Sequence, residues 1–176
     1  MGESICGLKR THYCTEVTVN DVGKEVTVMG WVQRRRDLGK LIFVSLRDRS
    51  GIIQVVFSDE TKKEIFEKAE KIRSEFVLAI RGKVVKRADD AINPDMITGE
   101  IEIWAEELRI LSTAETPPMY IEENLQVNEA LRLKYRYLDL RRPDMQRNIM
   151  LRHRVAKVAR DYFDANGFLE IEMPML

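Results

Sequence analysis

Apolar and polar positions alternate along residues 25–58 in three runs separated by short turns. In the first run, residues 25–36, Val26, Val28 and Val32 fall on one face, with Gly30 among them. A glycine inside a strand marks a bend or bulge, which a small, tightly curved sheet needs. Asp37 to Lys40 form a turn around Gly39. The second run, residues 41–48, puts Ile42, Val44 and Leu46 on one face and Leu41, Phe43 and Ser45 on the other. Arg49-Ser50-Gly51 reads as a hairpin turn. The third run, residues 52–58, turns Ile53, Val55 and Phe57 inward and Gln54 to the opposite face.

The period then changes. Ile65, Phe66, Ala69 and Ile72 recur at helical spacing, with Asp59 or Thr61 as the expected N-cap. From Glu75 the period returns to two, with Phe76, Leu78, Ile80, Gly82 and Val84 on one face. A loop over residues 88–97 leads into a fifth strand. There Ile101, Ile103 and Ala105 face one way and Glu100, Glu102 and Trp104 the other. Three strands, one helix and two strands predict a mostly β chain with helices, built on a five-stranded OB-fold β-barrel. The strand face and loops of that fold bind oligonucleotides and oligosaccharides.

Residues 113–124 contain Pro117-Pro118 and no clear period, as in a linker. The following stretch, LRLKYRYLDLRRPD, is dense in arginine, tyrosine and leucine. Pro143 suits a helix's first turn. Leu151, Val155, Val158, Ala159 and Tyr162 then form an apolar stripe on a long helix that Asn166-Gly167 ends. Phe168 to Glu172 reads as a strand running into Met173-Pro174. The expected organisation is an OB domain over 1–112, a linker and hinge over 113–142, and the start of a second domain over 143–176.

The chain has 176 residues, 44% hydrophobic and 33% charged, with 29 lysines and arginines against 29 aspartates and glutamates. A neutral whole predicts no nucleic-acid partner, so any such reading must be local. Residues 30–58 carry Arg34, Arg35, Arg36, Lys40, Arg47 and Arg49 against Asp37 and Asp48, a net of +4 from six cations and two anions. Cys6, Cys14 and His12 fall short of a zinc set and read as ordinary thiols and imidazole, with no metal expected. No apolar run reaches the roughly 18 residues of a membrane span, and the N-terminus lacks a signal peptide's apolar core. A cytoplasmic chain is the expectation.

Each candidate site residue has a bland reading beside its functional one. Arg34 and Arg36 share a face at a strand end and are either a solvated charge run or a guanidinium pair for phosphates and base edges. Phe43 is either core or an exposed platform, and Ile42, Val44 and Leu46 already fill this strand's inward row. Gln54 and Glu102 are either solvated strand residues or base-reading groups. The amide offers a donor and an acceptor, and the carboxylate accepts from guanine donors. The basic hinge, Arg132 through Arg142, is equally a tRNA-facing connector or a salt-bridged seam.

Three segments carry a resemblance. THYCTEVTVNDVGKEVTVMGWVQRRRDLGKLIFVSLRDRSGIIQVVF resembles the anticodon-binding domain of bacterial-type aspartyl-tRNA synthetases. RLKYRYLDLRRPDMQ resembles their hinge, and the long helix with GFLEIEMPML resembles motif 1 of class II synthetases. Motif 1 ordinarily has threonine where Met173 stands. The resemblance implies an enzyme that uses ATP and Mg2+ to attach aspartate to tRNA-Asp. It implies a chain that is an N-terminal fragment without motifs 2 and 3, able to bind tRNA but not to aminoacylate, and with no cofactor of its own. It assigns Arg36 and Arg34 to the anticodon strand, Phe43 to stacking on the middle base, Glu102 to the first base and Leu38 to packing at the third. Arg87 and Asn93 are added as candidate backbone or base contacts. It makes Leu151, Val155, Val158, Tyr162 and Pro174 a dimer element. The alternatives are a general single-strand or oligosaccharide-binding OB module, or a dimerisation fragment with a vestigial barrel.

Overall fold

The computed structural model describes every residue except Met1, Glu60, Thr61, Leu125, Met175 and Leu176. The chain forms two units, one ending at Pro117 and the other starting at Pro118. In the first, the alternating runs become β1 (Glu25–Asp37), β2 (Leu41–Arg47), β3 (Ile52–Ser58), β4 (Val77–Lys86) and β5 (Ile101–Ser112). β1 pairs antiparallel with β2 and β4, β2 pairs with β3, and β4 pairs with β5. A short parallel pairing of β3 with β5 closes the ring in the order β1-β2-β3-β5-β4. Alternate residues of every strand fill the interior, among them Val28, Val32, Ile42, Val44, Leu46, Val55, Phe57, Ile80 and Ile103. Helix α1 (Lys63–Glu70) packs Ile65, Phe66 and Ala69 against this cluster.

Closing so small a ring forces backbones together. A Cβ on Gly30 would lie 2.3 Å from the Arg47 carbonyl oxygen, and one on Gly82 would lie 2.1 Å from that of Trp104. Backbone cannot step aside as a flexible side chain could, so both positions need glycine. The bulge in β1 is not at Gly30. The β1–β2 register runs Val32 with Leu46 and then Arg34 with Ser45, which leaves Gln33 as the extra residue.

Two local expectations change. α1 begins at Lys63 with Lys62 at its N-cap and no side-chain cap. Asp59 instead lies in the preceding turn, its N–H donating to the Lys40 carbonyl at 3.0 Å, and Thr61 lies outside the described residues. Residues 168–174 form no strand. Among the described residues no strand is present for them to pair with, and an isolated strand leaves its backbone groups unbonded. The Phe168 ring instead packs edge-on against Phe163, with centroids 5.6 Å apart. The last two positions of the motif 1 pattern, Met175 and Leu176, lie outside the described residues.

The second unit holds α2 (Glu129–Lys134), α3 (Arg136–Asp139) and α4 (Pro143–Ala165), with a small cluster of Met119, Ile121 and Leu138 on which Val127, Leu131 and Tyr135 pack. Its polar centre is Asp139, fully buried. The carboxylate accepts from Arg132 Nε at 2.9 Å, from Arg142 Nη1 at 3.2 Å, and from Arg136 Nη1. Of the two readings of the basic hinge, this clamp favours salt bridging, within the second unit itself. The Arg132 hydrogen bond, helped by those of its neighbours, holds the Asp139 carboxyl below the usual range against the opposing effect of burial. A depressed folded pKa stabilises the fold at neutral pH, and that contribution is lost as pH falls through the carboxylate range toward the folded value. Asp139→Ala should therefore destabilise the helical unit by about 1–3 kcal/mol at neutral pH, since it removes the acceptor of the buried Arg142 and of the partly exposed Arg132 and Arg136. Melts followed by helical circular dichroism should show the gap between parent and variant narrowing near pH ~3. A gap independent of pH would mean that the carboxylate's charge is not what holds the clamp.

Candidate nucleic-acid interface

The strand registers line up two transverse rows on the outer face of the ring. In one, Arg36 lies opposite Phe43, Phe43 opposite Val56, and Val56 opposite Trp104. In the other, Arg34 lies opposite Ser45 and Ser45 opposite Gln54, and Gln54 Nε2 donates to Glu102 Oε2 at 3.0 Å. Phe43, Ser45, Gln54, Val56, Glu102 and Trp104 each alternate with interior neighbours, and Arg34 and Arg36 lie in register with them, so side chains from four strands share one surface.

The Gln33 bulge makes this possible on β1. Strict alternation from the inward Val32 would carry Arg34 and Arg36 into the interior. The extra residue resets the phase, and both arginines face outward beside Ser45 and Phe43. The Arg36 guanidinium carbon stands 5.9 Å from the Phe43 ring centroid, within cation–π range. Arg35 is committed elsewhere, pairing with Asp37 at 2.6 Å. At the β1–β2 turn, Leu38 is 71% exposed. Its N–H donates to the Leu41 carbonyl at 2.9 Å, and Gly39 takes the positive φ of 80° that the turn requires.

Phe43 is half-buried on the outer face. Gln54 differs from the expected emergent amide. It is on the outer face and outside the interior cluster, yet only 9% exposed, with Glu102 against it. Glu102 is half-buried and tied at both oxygens, Oε2 by Gln54 and Oε1 by the Trp104 indole Nε1–H at 2.8 Å. Arg87 lies beneath this pair. Its Nε donates to the Ile101 carbonyl at 3.0 Å and stands 3.7 Å from Glu102 Oε2, while its buried Nη2 has no hydrogen-bond partner. Burial pulls the Arg87 pKa below its ordinary value. The Glu102 charge opposes that shift and the Arg36 charge adds to it.

Asn93 does not join the cluster through any hydrogen bond among the described residues. Its Oδ1 accepts from the Asp95 N–H at 3.0 Å and its own N–H donates to the Gly99 carbonyl at 3.2 Å, so it shapes the loop before β5. In the second unit, α4 buries none of its residues, and Leu151, Val155, Val158 and Tyr162 form an exposed stripe. Pro174 is exposed as well. Trp104 is the residue that sequence reasoning passed over as a site candidate. The available signal was its place two residues from Glu102, on the same strand face.

These features define a class: a closed ring of five strands whose outer face gathers basic, aromatic and polar side chains, followed by a helical unit. Residues 26–111 match the OB-fold nucleic acid binding domain, and residues 128–176 match the class II tRNA synthetases of the D, K and N group. Over those residues the chain is similar to both families. The whole chain is 66% identical to an aspartate–tRNA ligase of Ruminiclostridium cellulolyticum and 63% identical to an aspartate–tRNA(Asp/Asn) ligase of Thermoanaerobacter pseudethanolicus. It spans 30% of the length of each. Among solved structures, the asparaginyl-tRNA synthetase of Pyrococcus horikoshii complexed with asparaginyl-adenylate matches at a TM-score of 0.79 and 30% identity. That match covers 95% of this chain and 37% of the other. The aspartyl-tRNA synthetase of Entamoeba histolytica has the same fold, with a TM-score of 0.85 at 24% identity over 96% of this chain and 40% of its own.

Phe43 stands outside the interior cluster, so its ring can be removed without opening the core. Phe43→Ala should weaken binding of a single-stranded RNA by about 1–3 kcal/mol, the usual worth of one stacked base. A titration read beside a thermal melt checks this. The melt should be nearly unchanged, and parental affinity in the variant would take Phe43 out of the site.

Proposed function

We propose that this chain reads the anticodon of tRNA-Asp as part of an aspartyl-tRNA synthetase. The observation that carries the reading is the pair of outer rows, which brings a guanidinium, an aromatic ring, an amide and a carboxylate onto one face. Phe43 offers a π face to one unstacked base, and Arg34 and Arg36 meet the phosphates or base edges beside it. The exposed Leu38 offers apolar packing to a neighbouring base. Gln54 and Glu102 read Watson–Crick edges. A carboxylate has about four lone-pair sites. Trp104 and Gln54 occupy one site on each oxygen, and the remaining site on each suits the paired N1–H and N2–H donors of guanine. The buried Arg87 backs the carboxylate from beneath, its Nε 3.7 Å from Glu102 Oε2.

The whole enzyme would activate aspartate with ATP and magnesium and transfer it to the terminal ribose of the tRNA, in the cytoplasm. Among the described residues no group of His, Cys, Asp or Glu side chains suits a metal ion. The exposed stripe of α4, with Pro174, would meet a second subunit in a homodimer. No helix among the described residues is long and apolar enough to cross a membrane.

The test is filter binding of a GUC anticodon stem-loop and its single-base variants at two salt concentrations. Phosphate contacts give a salt slope common to all sequences, while base contacts set the differences between them. Gln54→Ala and Glu102→Ala should each reduce preference for GUC by about 1–3 kcal/mol, on the scale of a misread base, with the salt slope unchanged. Equal binding of every stem-loop by the parent chain would reduce the face to a general single-strand platform.

A further inference from the structure

We infer that Trp104 is a positioning residue for the base-reading carboxylate: its indole N–H fixes the rotation of Glu102, so that the carboxylate's remaining acceptor sites point out of the sheet. This rests on the anticodon reading given above. A glutamate's terminal torsion joins sp3 to sp2 carbon, and its energy profile is broad rather than three-welled. One hydrogen bond leaves such a carboxylate free to swivel about that contact. Here two donors arrive from different strands and take different oxygens. Gln54 on β3 reaches Oε2 at 3.0 Å, and Trp104 on β5 itself reaches Oε1 at 2.8 Å. Together they fix the plane of the group.

Tryptophan suits this role for chemical reasons. Its indole is a donor only, so it can hold the carboxylate without presenting an acceptor that would compete for the base's N–H groups. Its ring is large enough to remain 36% exposed while the N–H is engaged. Its cross-strand partner Val56 lies between it and Phe43 and is only 1% exposed. The ring therefore borders the same covered floor as the stacking face. Trp104 need not touch the RNA to affect base choice, because it acts through the carboxylate.

The test uses the 176-residue chain and the stem-loop series, with Trp104→Phe, Glu102→Gln and the double variant. Phenylalanine keeps an aromatic ring and removes the donor. Trp104→Phe should cut discrimination about threefold to tenfold, the worth of one net hydrogen bond. The loss should fall at the anticodon position that Glu102→Gln affects and spare the other two positions and the salt slope. In the Glu102→Gln background the same change should add nothing further, since the residue acts through that carboxylate. A uniform loss at all positions, or a loss of equal size in the Glu102→Gln background, would mark Trp104 as ordinary packing and overturn the inference. If Glu102→Gln relaxes base choice and Trp104→Phe does not, the positioning role alone falls. If the parent shows no preference, or Glu102→Gln is silent, base reading by this carboxylate fails and the inference falls with it.

Discussion

One extra residue in β1 governs the character of the outer face. Side chains in a strand alternate with a period of two, so the phase set by Val26, Val28 and Val32 would turn Arg34 and Arg36 inward. An unpaired guanidinium in that apolar interior would cost far more than the fold could absorb. The bulge at Gln33 inverts the phase after the core-forming half of β1 is complete. The first half of the strand then builds the interior, and the second half presents cations beside Phe43. The strand's length matters for the same reason, because its last residues must pass beyond the bulge to reach the row that crosses β2, β3 and β5.

The face is built from polar groups that hold one another. Gln54, Glu102, Trp104 and Arg87 make a short chain of contacts across β3, β5 and the end of β4. Such networks are rigid when satisfied, and an unmet donor within them is expensive. Nearly every contact here is closed, and the buried Nη2 of Arg87 is the exception. A surface held rigid in this way is already ordered before a ligand arrives, so little side-chain entropy remains to be lost on binding.

Much of this was legible in the sequence, because alternation reports burial directly. The inward rows Ile42-Val44-Leu46 and Ile53-Val55-Phe57 are buried as the period required. The outward place of Phe43 followed from its neighbours. What alternation cannot report is a slip in its own phase. Gly30 drew attention as the irregular position, but its role is close approach to Arg47, and the bulge falls three residues later. Nor can the pattern of one strand show what a neighbouring strand lays across it. The period of β3 turns Gln54 outward, and it is covered there because β5 brings Glu102 against it. Phe168 to Glu172 has the composition of a strand, but a strand also needs a partner, and composition does not supply one. Trp104 was placed on the right face and left unused, since its significance lies in a hydrogen bond and not in its period.

The neutral balance of the whole chain conceals a sorting of its arginines. Arg35 is paired with Asp37, Arg47 with Glu75 at 2.8 Å, and Arg132, Arg136 and Arg142 share Asp139. Those cations are spent on the fold. Arg34 and Arg36 are exposed and have no carboxylate partner among the described residues. A polyanion therefore meets two cations beside Phe43 that the fold has not already neutralised. This is why the hinge, richer in arginine than any other stretch of comparable length, is the poorer candidate for phosphate contact. Drawing its guanidinium groups toward RNA would leave the buried Asp139 carboxylate without its partners. Local charge predicts a binding surface only after the internal ion pairs have been subtracted, and the subtraction removes Arg132, Arg136 and Arg142 of the hinge while it spares Arg34 and Arg36 on the outer face of β1.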